Sequence, residues 1–256
     1  MCLILLAWDS HPDYSLIVAA NRDEFYDRPT ALAAFWSDAP SVLGGRDLRA
    51  GGTWLGIDRR GRFAAVTNYR QGQREPAAAH SRGRLVSDFL TMEFPPREYL
   101  RQLVEQEADR FNGFNLMVGD ARQLLYFSNR EGHQRTLKPG IYGLSNHLLD
   151  SPWPKVTSGK TALGALVQRG GPGLTAGLFA LLSDRSQPAE ELLPDTGISK
   201  EWERLLSAAF ISSEEYGTRS STVVLIGRDG RLVFTEQSFG PGGKSGEQVR
   251  FEFVIG

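Results

Sequence analysis

Hydrophobic residues fall in short blocks along this chain, and the first two blocks frame the rest. Met1 to Trp8 is an apolar run, Asp9 to Tyr14 a polar turn, and Ser15 to Ala20 a second apolar run ending in Asn21-Arg22-Asp23-Glu24. Two short apolar runs joined by a turn containing His11-Pro12-Asp13 predict a β-hairpin. In such a hairpin the start of the first strand lies beside the end of the second, so Cys2 is expected next to Arg22 and Asp23.

The pattern continues in alternating stretches. Ala31 to Phe35 is ambiguous. The glycines between Gly44 and Gly61 demand tight turns or close backbone approach. Trp54 to Asp58 and Arg62 to Thr67 predict strands turned at Arg59-Arg60-Gly61, the second leading into Asn68, Tyr69 and Arg70. Gln71 to Ser81 reads as a polar connection. Arg84 to Glu93 predicts a short helix. Pro96 to Phe111 predicts a longer one, with proline in its first turn and Leu100, Leu103, Val104, Ala108 and Phe111 at helical spacing. Phe114 to Val118 and Gln123 to Phe127 predict another hairpin, and Ile141 to Ser145 a strand ending at Asn146. Lys155 to Arg169, Leu174 to Ser183 and Ser199 to Phe210 predict helices, the last capped by Ser199 with Trp202, Leu205 and Leu206 on one face. Thr222 to Ile226, Arg231 to Thr235 and Gln248 to Ile255 predict closing strands, with a hairpin turn at Gly227 to Gly230 and a flexible loop over Gly240 to Gly246. Strands joined by short turns predict mainly antiparallel sheets with helices layered on them, an α+β fold. No repeat or long linker divides residues 1–256, so a single domain is expected.

Composition narrows the function classes. With 256 residues and 41% hydrophobic content the chain can bury a sizeable core. Its formal net charge is −1, from 29 basic and 30 acidic residues, which leaves no basic stripe for a nucleic acid. The single cysteine makes no internal disulfide and fits a reducing compartment. The opening apolar run lacks a positive flank and is cut by Asp9, so it does not read as a signal peptide. No stretch approaches the roughly 20 apolar residues of a membrane span. A cytoplasmic protein with a small-molecule substrate or ligand is expected.

Several motifs fail on inspection. Gly243-Lys244-Ser245 and Gly159-Lys160-Thr161 have Ser238 and Pro154 where a phosphate loop needs glycine. Gly143-Leu144-Ser145-Asn146-His147 lacks the second glycine of a nucleophile elbow. The four histidines are scattered, so no structural zinc site and no metal is expected.

Cys2 is the group that retains chemical interest. Removal of Met1, usual before a small second residue, leaves a cysteine with a free α-amine. That amine, with an ordinary pKa near 8, can act as base for its own thiol. Such a site needs a carboxylate for the ammonium, donors for an oxyanion and a strand that presents the first residue. Asp23 suits the first role. Arg22 and Arg219 are placed to lower the thiol pKa and bind an acidic or amide group. Asn68 and Asn146 close strands and can donate to an oxyanion.

Met1-Cys2-Leu3-Ile4, Asn21-Arg22-Asp23-Glu24, Gly45-Arg46-Asp47, Gly51-Gly52-Thr53-Trp54-Leu55-Gly56, Thr67-Asn68, Tyr142-Gly143-Leu144-Ser145-Asn146 and Gly217-Thr218-Arg219-Ser220 resemble the NRDE family, that of transport and Golgi organisation protein 2. The resemblance covers nearly the whole chain. It implies an N-terminal nucleophile (Ntn) hydrolase-like fold, a four-layer αββα sandwich of two mainly antiparallel sheets. By similarity Cys2, Arg22, Asp23, Asn68, Asn146 and Arg219 fall at catalytic positions, and Asn21, Glu24, Arg46, Trp54, Tyr69 and Tyr142 are expected to contact substrate. The implied activity is that of an amidohydrolase or acyltransferase acting on an amide or thioester of a small acyl compound, with no cofactor. The alternative is a carrier of a hydrophobic acidic ligand, such as haem or an acyl thioester, gripped by Arg22 and Arg219.

Overall fold

The computed structural model describes residues 2–72 and 80–256. Most of the connection expected over Gln71 to Ser81 lies outside the described residues. The elements run β1 (Cys2–Trp8), β2 (Tyr14–Phe25), β3 (Thr30–Phe35), β4 (Val42–Asp47), β5 (Leu55–Asp58), β6 (Phe63–Asn68), α1 (Gly83–Thr91), α2 (Pro96–Gln106), β7 (Phe114–Gly119), β8 (Leu124–Ser128), β9 (Gln134–Thr136) and β10 (Gly140–Leu144). They continue with α3 (Pro154–Arg169), α4 (Leu174–Leu182), α5 (Lys200–Leu205), β11 (Tyr216–Gly227), β12 (Arg231–Gly240) and β13 (Lys244–Val254). Among the described residues the strands form two antiparallel sheets, ordered β10-β1-β2-β11-β12-β13 and β3-β4-β5-β6-β7-β8-β9. No helix among these residues is long and apolar enough to cross a membrane.

The layers follow from which faces are apolar. Ile4, Leu6, Trp8, Val18, Ala20 and Val224 point between the sheets, against Phe63, Ala65 and Met117. The alternate residues Leu3, Leu5, Ala7, Ile17, Ala19 and Val223 face Val156, Leu163, Leu174 and Leu178 of α3 and α4. Helices α1 and α2 cover the outer face of the second sheet. The order is therefore helices, sheet, sheet, helices. Strand β1 is buried on both faces, which is why it reads as a continuous apolar run rather than an alternating one. Each such leucine contributes about 1.5–3 kcal/mol of burial.

The strands refine the sequence reading in several places. Ala31 to Phe35 belongs to an edge strand. Gly44 and Gly45 lie within β4 rather than in a turn; a Cβ on Gly44 would come 2.8 Å from the Leu55 carbonyl, and one on Gly45 2.5 Å from the Trp54 ring. Close approach, not turn geometry, accounts for these two glycines, whereas Gly51 and Gly61 have φ of 79° and 76°. The expected helix Pro96 to Phe111 stops at Gln106 and gives way to a 3-10 turn over Ala108–Arg110. Helix α5 also ends early, because the carbonyls beyond it are taken from elsewhere: Leu206 O accepts from Lys155 Nζ and Ala209 O from Asn21 Nδ2. Its expected apolar face divides, with Leu206 buried and Trp202 exposed. Strand β11 starts six residues before the apolar stretch that predicted it, so Gly217 to Ser221 are sheet residues. The short β9 is wholly exposed and carries no apolar signal.

One buried carboxyl ties the sheets together. Glu236 of β12 is 1% exposed. It accepts from the Ala33 main-chain N–H of β3 at 2.9 Å and from Thr222 Oγ1 at 3.0 Å. Burial raises its pKa above the ordinary value of 4.5, outweighing those hydrogen bonds. A carboxyl that binds its proton more tightly when folded favours the folded state at low pH, and that contribution is lost as pH rises from 4.5 through the raised value. Glu236→Gln should therefore raise the thermal midpoint at pH 7.5 relative to wild type and narrow the difference by pH 4.5. Calorimetry at the two pH values checks this.

Candidate active site

The ends of four strands meet at one end of the sandwich. Strand β1 lies between β2 and β10, so Cys2 pairs with Arg22 across β2, and the Ile4–Leu144 register carries Asn146 to its other side. Cys2 N–H donates to Asn146 Oδ1 at 3.4 Å, and Cys2 C=O accepts from Ser145 Oγ at 3.0 Å. The main chain of Cys2 is thus held by two side chains of the segment after β10 on one side and by pairing with Arg22 on the other.

A staple between the sheets brings Asn68 to the same place. Thr67 Oγ1 donates to Ser145 O at 2.6 Å, Asn146 Nδ2 to Asn68 O at 2.9 Å, and Arg70 N to Asn146 O at 2.7 Å. The end of β6 is thereby fixed against the segment that follows β10. Cys2, Arg22, Asp23, Glu24, Trp54 and Asn68 line one cleft of about 110 Å³, together with Arg28, Asp47, Thr53, Val66 and residues 81–83.

Charges on the cleft wall are organised in a chain. The Arg22 guanidinium lies 4.9 Å from the Trp54 ring centre and donates to Thr30 Oγ1 at 3.2 Å. Glu24 stands 3.9 Å from both Arg22 and Arg28, and Arg28 grips Asp47 at 2.6 Å. Burial alone would raise the Asp47 carboxyl, but Arg28 and the Arg49 and Ala50 N–H groups hold it below the ordinary range. Arg28 is a cleft residue absent from the sequence expectations; its charge, four residues after Glu24, is the signal the sequence carries for it.

Cys2 is 7% exposed. Burial is the largest influence on its thiol and raises the pKa, and the Asp23 charge adds to this. Arg22 and the Asp23 main-chain N–H pull the other way without overcoming it. Arg22 thus lowers this pKa as expected, but desolvation outweighs it and the net direction is upward. Asp23, 1% exposed, is likewise raised by burial, against the opposing pull of Lys155, a hydrogen bond from Thr218 Oγ1 at 2.7 Å, and Arg22.

Other expected residues lie elsewhere. Arg219 sits at a β-bulge between Thr218 and Ser220 and turns its Nη1 onto the Phe25, Tyr26 and Arg28 carbonyls at 2.9, 3.3 and 3.0 Å. It lines a separate cavity with Glu236 and Phe239, and Trp54 borders both spaces. Asn21 is fully buried, donating to Leu182 O and Ala209 O and accepting from Ser221 Oγ at 2.6–2.8 Å. Its amide clamps α4 to the sheet and does not line the cleft. Arg46 pairs with Asp38 and stacks on Trp36. Tyr69 shares a hydrogen bond with His147 at 2.9 Å, and Tyr142 donates to Lys138 O at 2.8 Å. None of these three lines the Cys2 cleft.

The Cys2 cleft, at about 110 Å³, is smaller than the roughly 300–1,000 Å³ of pockets that enclose drug-sized ligands. The two arginines expected to grip a carried acid line different cavities. Among the described residues no cluster of three His, Cys, Asp or Glu side chains is placed to hold a metal ion.

The family described as Transport and Golgi organisation 2 matches residues 1–241. The chain is 42% identical to the Transport and Golgi organization protein 2 homolog of Bos taurus over 262 residues, 93% of each chain. It is 40% identical to the Homo sapiens homolog over 258 residues, again 93% of each. Among solved structures it resembles a Caenorhabditis elegans ortholog of N-acylethanolamine-hydrolyzing acid amidase, with a TM-score of 0.46 and 11% identity over 88% of this chain and 92% of that one. A variant of the conjugated bile acid hydrolase from Clostridium perfringens gives a TM-score of 0.48 and 11% identity, covering 99% of this chain and 92% of the other.

Because this is the chain's one cysteine, its state can be read from intact mass. Iodoacetamide at pH 7.5 should alkylate it at least about tenfold more slowly than free cysteine, since burial disfavours the thiolate. Unfolding in urea should remove the difference.

Proposed function

The chain belongs to the Transport and Golgi organisation 2 family, and from the arrangement around its cysteine we propose that it is an N-terminal-cysteine hydrolase or acyltransferase. Its substrate would be an amide or thioester of a small acyl compound. The observation that carries this reading is the placement of Cys2. Its main chain is held between Arg22 and Asn146, and the residue lines a cleft shared with Arg22, Asp23 and Asn68. A structural cysteine buried in a core needs no such polar cleft.

The chemistry proceeds from removal of Met1. The α-amine of Cys2 takes the thiol proton, and the thiolate sulfur bonds to the substrate carbonyl carbon while the carbonyl π pair moves onto oxygen. N–H donors from Asn68 and Asn146 stabilise that oxyanion; one Asn146 N–H is engaged by the Asn68 carbonyl and a second remains on the same nitrogen. Collapse expels the amine or thiol, which leaves with the proton from the α-ammonium, and the acyl group remains on sulfur as a thioester. Water, deprotonated by the α-amine, adds to the thioester and releases the acid; an acceptor amine in place of water gives acyl transfer. Arg22, fixed by Trp54 and Thr30, orients the acyl portion beside the sulfur. A cleft of this size admits the reacting carbonyl and a few further atoms, so the remainder of the substrate extends outward.

Intact mass should show loss of Met1. A short-chain p-nitroanilide and the matching thiophenyl ester should release product with wild type, and Cys2→Ala should lower turnover by about 10³-fold or more. Equal turnover by Cys2→Ala, or turnover by protein that retains Met1, overturns the reading.

A further inference from the structure

The two sheets end in four edge strands, β10 and β13 in one and β3 and β9 in the other. An edge strand presents unpaired N–H and C=O groups, and proteins blunt such edges against pairing with another chain. Three of the four are blunted, among the described residues. Asp150 covers β10: its Oδ1 accepts from the Gly143 N–H and its own N–H donates to the Gly143 C=O, each at 2.8 Å. A register shift between Ala31 and Ala34 interrupts β3, and the Ala33 N–H in that interval donates to Glu236. Strand β9 is three residues long. Strand β13 runs for eleven residues, pairs with β12 on one side, and has no described strand on the other.

The pattern of β13 has a centre. Its pairing with β12 shifts register opposite Gln237 and Phe239, which leaves residues 248–254 as the regular part, with Phe251 at the midpoint. Val249, Phe251 and Phe253 face the core but are only half-buried, and the Phe251 and Phe253 rings lie 5.8 and 5.6 Å from that of Phe35. Arg250 and Glu252 flank the midpoint on the other face, both exposed. We propose that β13 is a homodimer interface, where two copies pair edge to edge and antiparallel about a two-fold axis at Phe251.

The charges select this register. About an axis at Phe251, Arg250 of each copy faces Glu252 of the other, and Phe251 faces its own counterpart. Moving the axis by one residue, to Arg250 or to Glu252, sets that residue against itself, and like charges directly opposite destabilise a pair. Charges on an edge strand ordinarily keep a second strand away. On β13 they exclude the adjacent registers and favour one. The axis also falls at the middle of the regular segment, so residue 248 meets 254 and every residue between them has a partner. The join would make two six-stranded sheets into one continuous sheet and bring two half-buried phenylalanine rings together.

The test needs no substrate. Sedimentation of wild type from about 1 to about 100 μM should show a dimer. Arg250→Glu, which places acidic side chains opposite one another across the axis, should weaken the dimer about tenfold or more, and combining it with Glu252→Arg should restore it. Register is read by mild oxidation in a Cys2→Ala background, where any disulfide comes from the introduced thiol. Phe251→Cys should form a disulfide-linked dimer, since facing Cα atoms lie about 4.5–5.5 Å apart. Gln248→Cys, whose two copies would stand about 20 Å apart along the strands, should not. A wild type that stays monomeric at about 100 μM, a dimer indifferent to Arg250→Glu, or cross-linking through Gln248→Cys rather than Phe251→Cys overturns the proposal. The cross-link decides the matter if a charge variant fails to fold.

Discussion

The arrangement depends on the register of a single strand. Strand β1 is paired on both sides, so its residues have no freedom to slide without breaking two hydrogen-bond ladders. Side chains alternate between faces with a period of two. A slip of one residue would turn Cys2 toward the helices and bring Leu3 to the cleft. The apolar residues that follow prevent this, because Ile4, Leu6 and Trp8 fit between the sheets while Leu3 and Leu5 fit beneath α3 and α4. The hydrophobic effect on the residues next to Cys2 thus determines where the thiol points.

A second constraint is the staple between the sheets. Thr67, Asn68 and Arg70 at the end of β6 bond to Ser145, Asn146 and the chain around them. These are polar contacts in a largely buried region, where an unpaired polar group is costly. Beyond them lies a buried ion pair, Arg70 with Glu203 at 2.6 Å. Buried ion pairs contribute little net stability compared with apolar residues of the same volume. This pair gives its end of the sandwich a fixed electrostatic surrounding instead.

Glycine plays a packing role more than a turning one. Gly45 admits the Trp54 ring, and that ring in turn supports Arg22. The position of a cleft arginine therefore depends on the absence of a Cβ in the opposite sheet. Gly72 and Gly197 likewise let two loop backbones approach too closely for any side chain between them. The Arg70–Glu203 pair spans the same junction.

What the chain itself determined was the part governed by local pattern. The opening hairpin, the antiparallel strands, most helices, and the neighbours Cys2, Arg22 and Asp23 follow from periodicity and turn chemistry, which act over a few residues. The helix ends after Gln106 and Leu205, the polar start of β11 and the exposed β9 did not, because partners distant in sequence decide them. The site divides along the same line. Asn146 and Asn68 could be named as strand ends, but only the fold joins them through a hydrogen bond. Arg219 has the charge expected of a cleft residue, yet a bulge and three main-chain carbonyls turn it into another cavity. Lys155 reads in the sequence as one helix residue among many; only the fold shows that it is buried and donates to the Leu206 carbonyl. Charge is written in the sequence, whereas desolvation and its compensation exist only once distant segments are packed together.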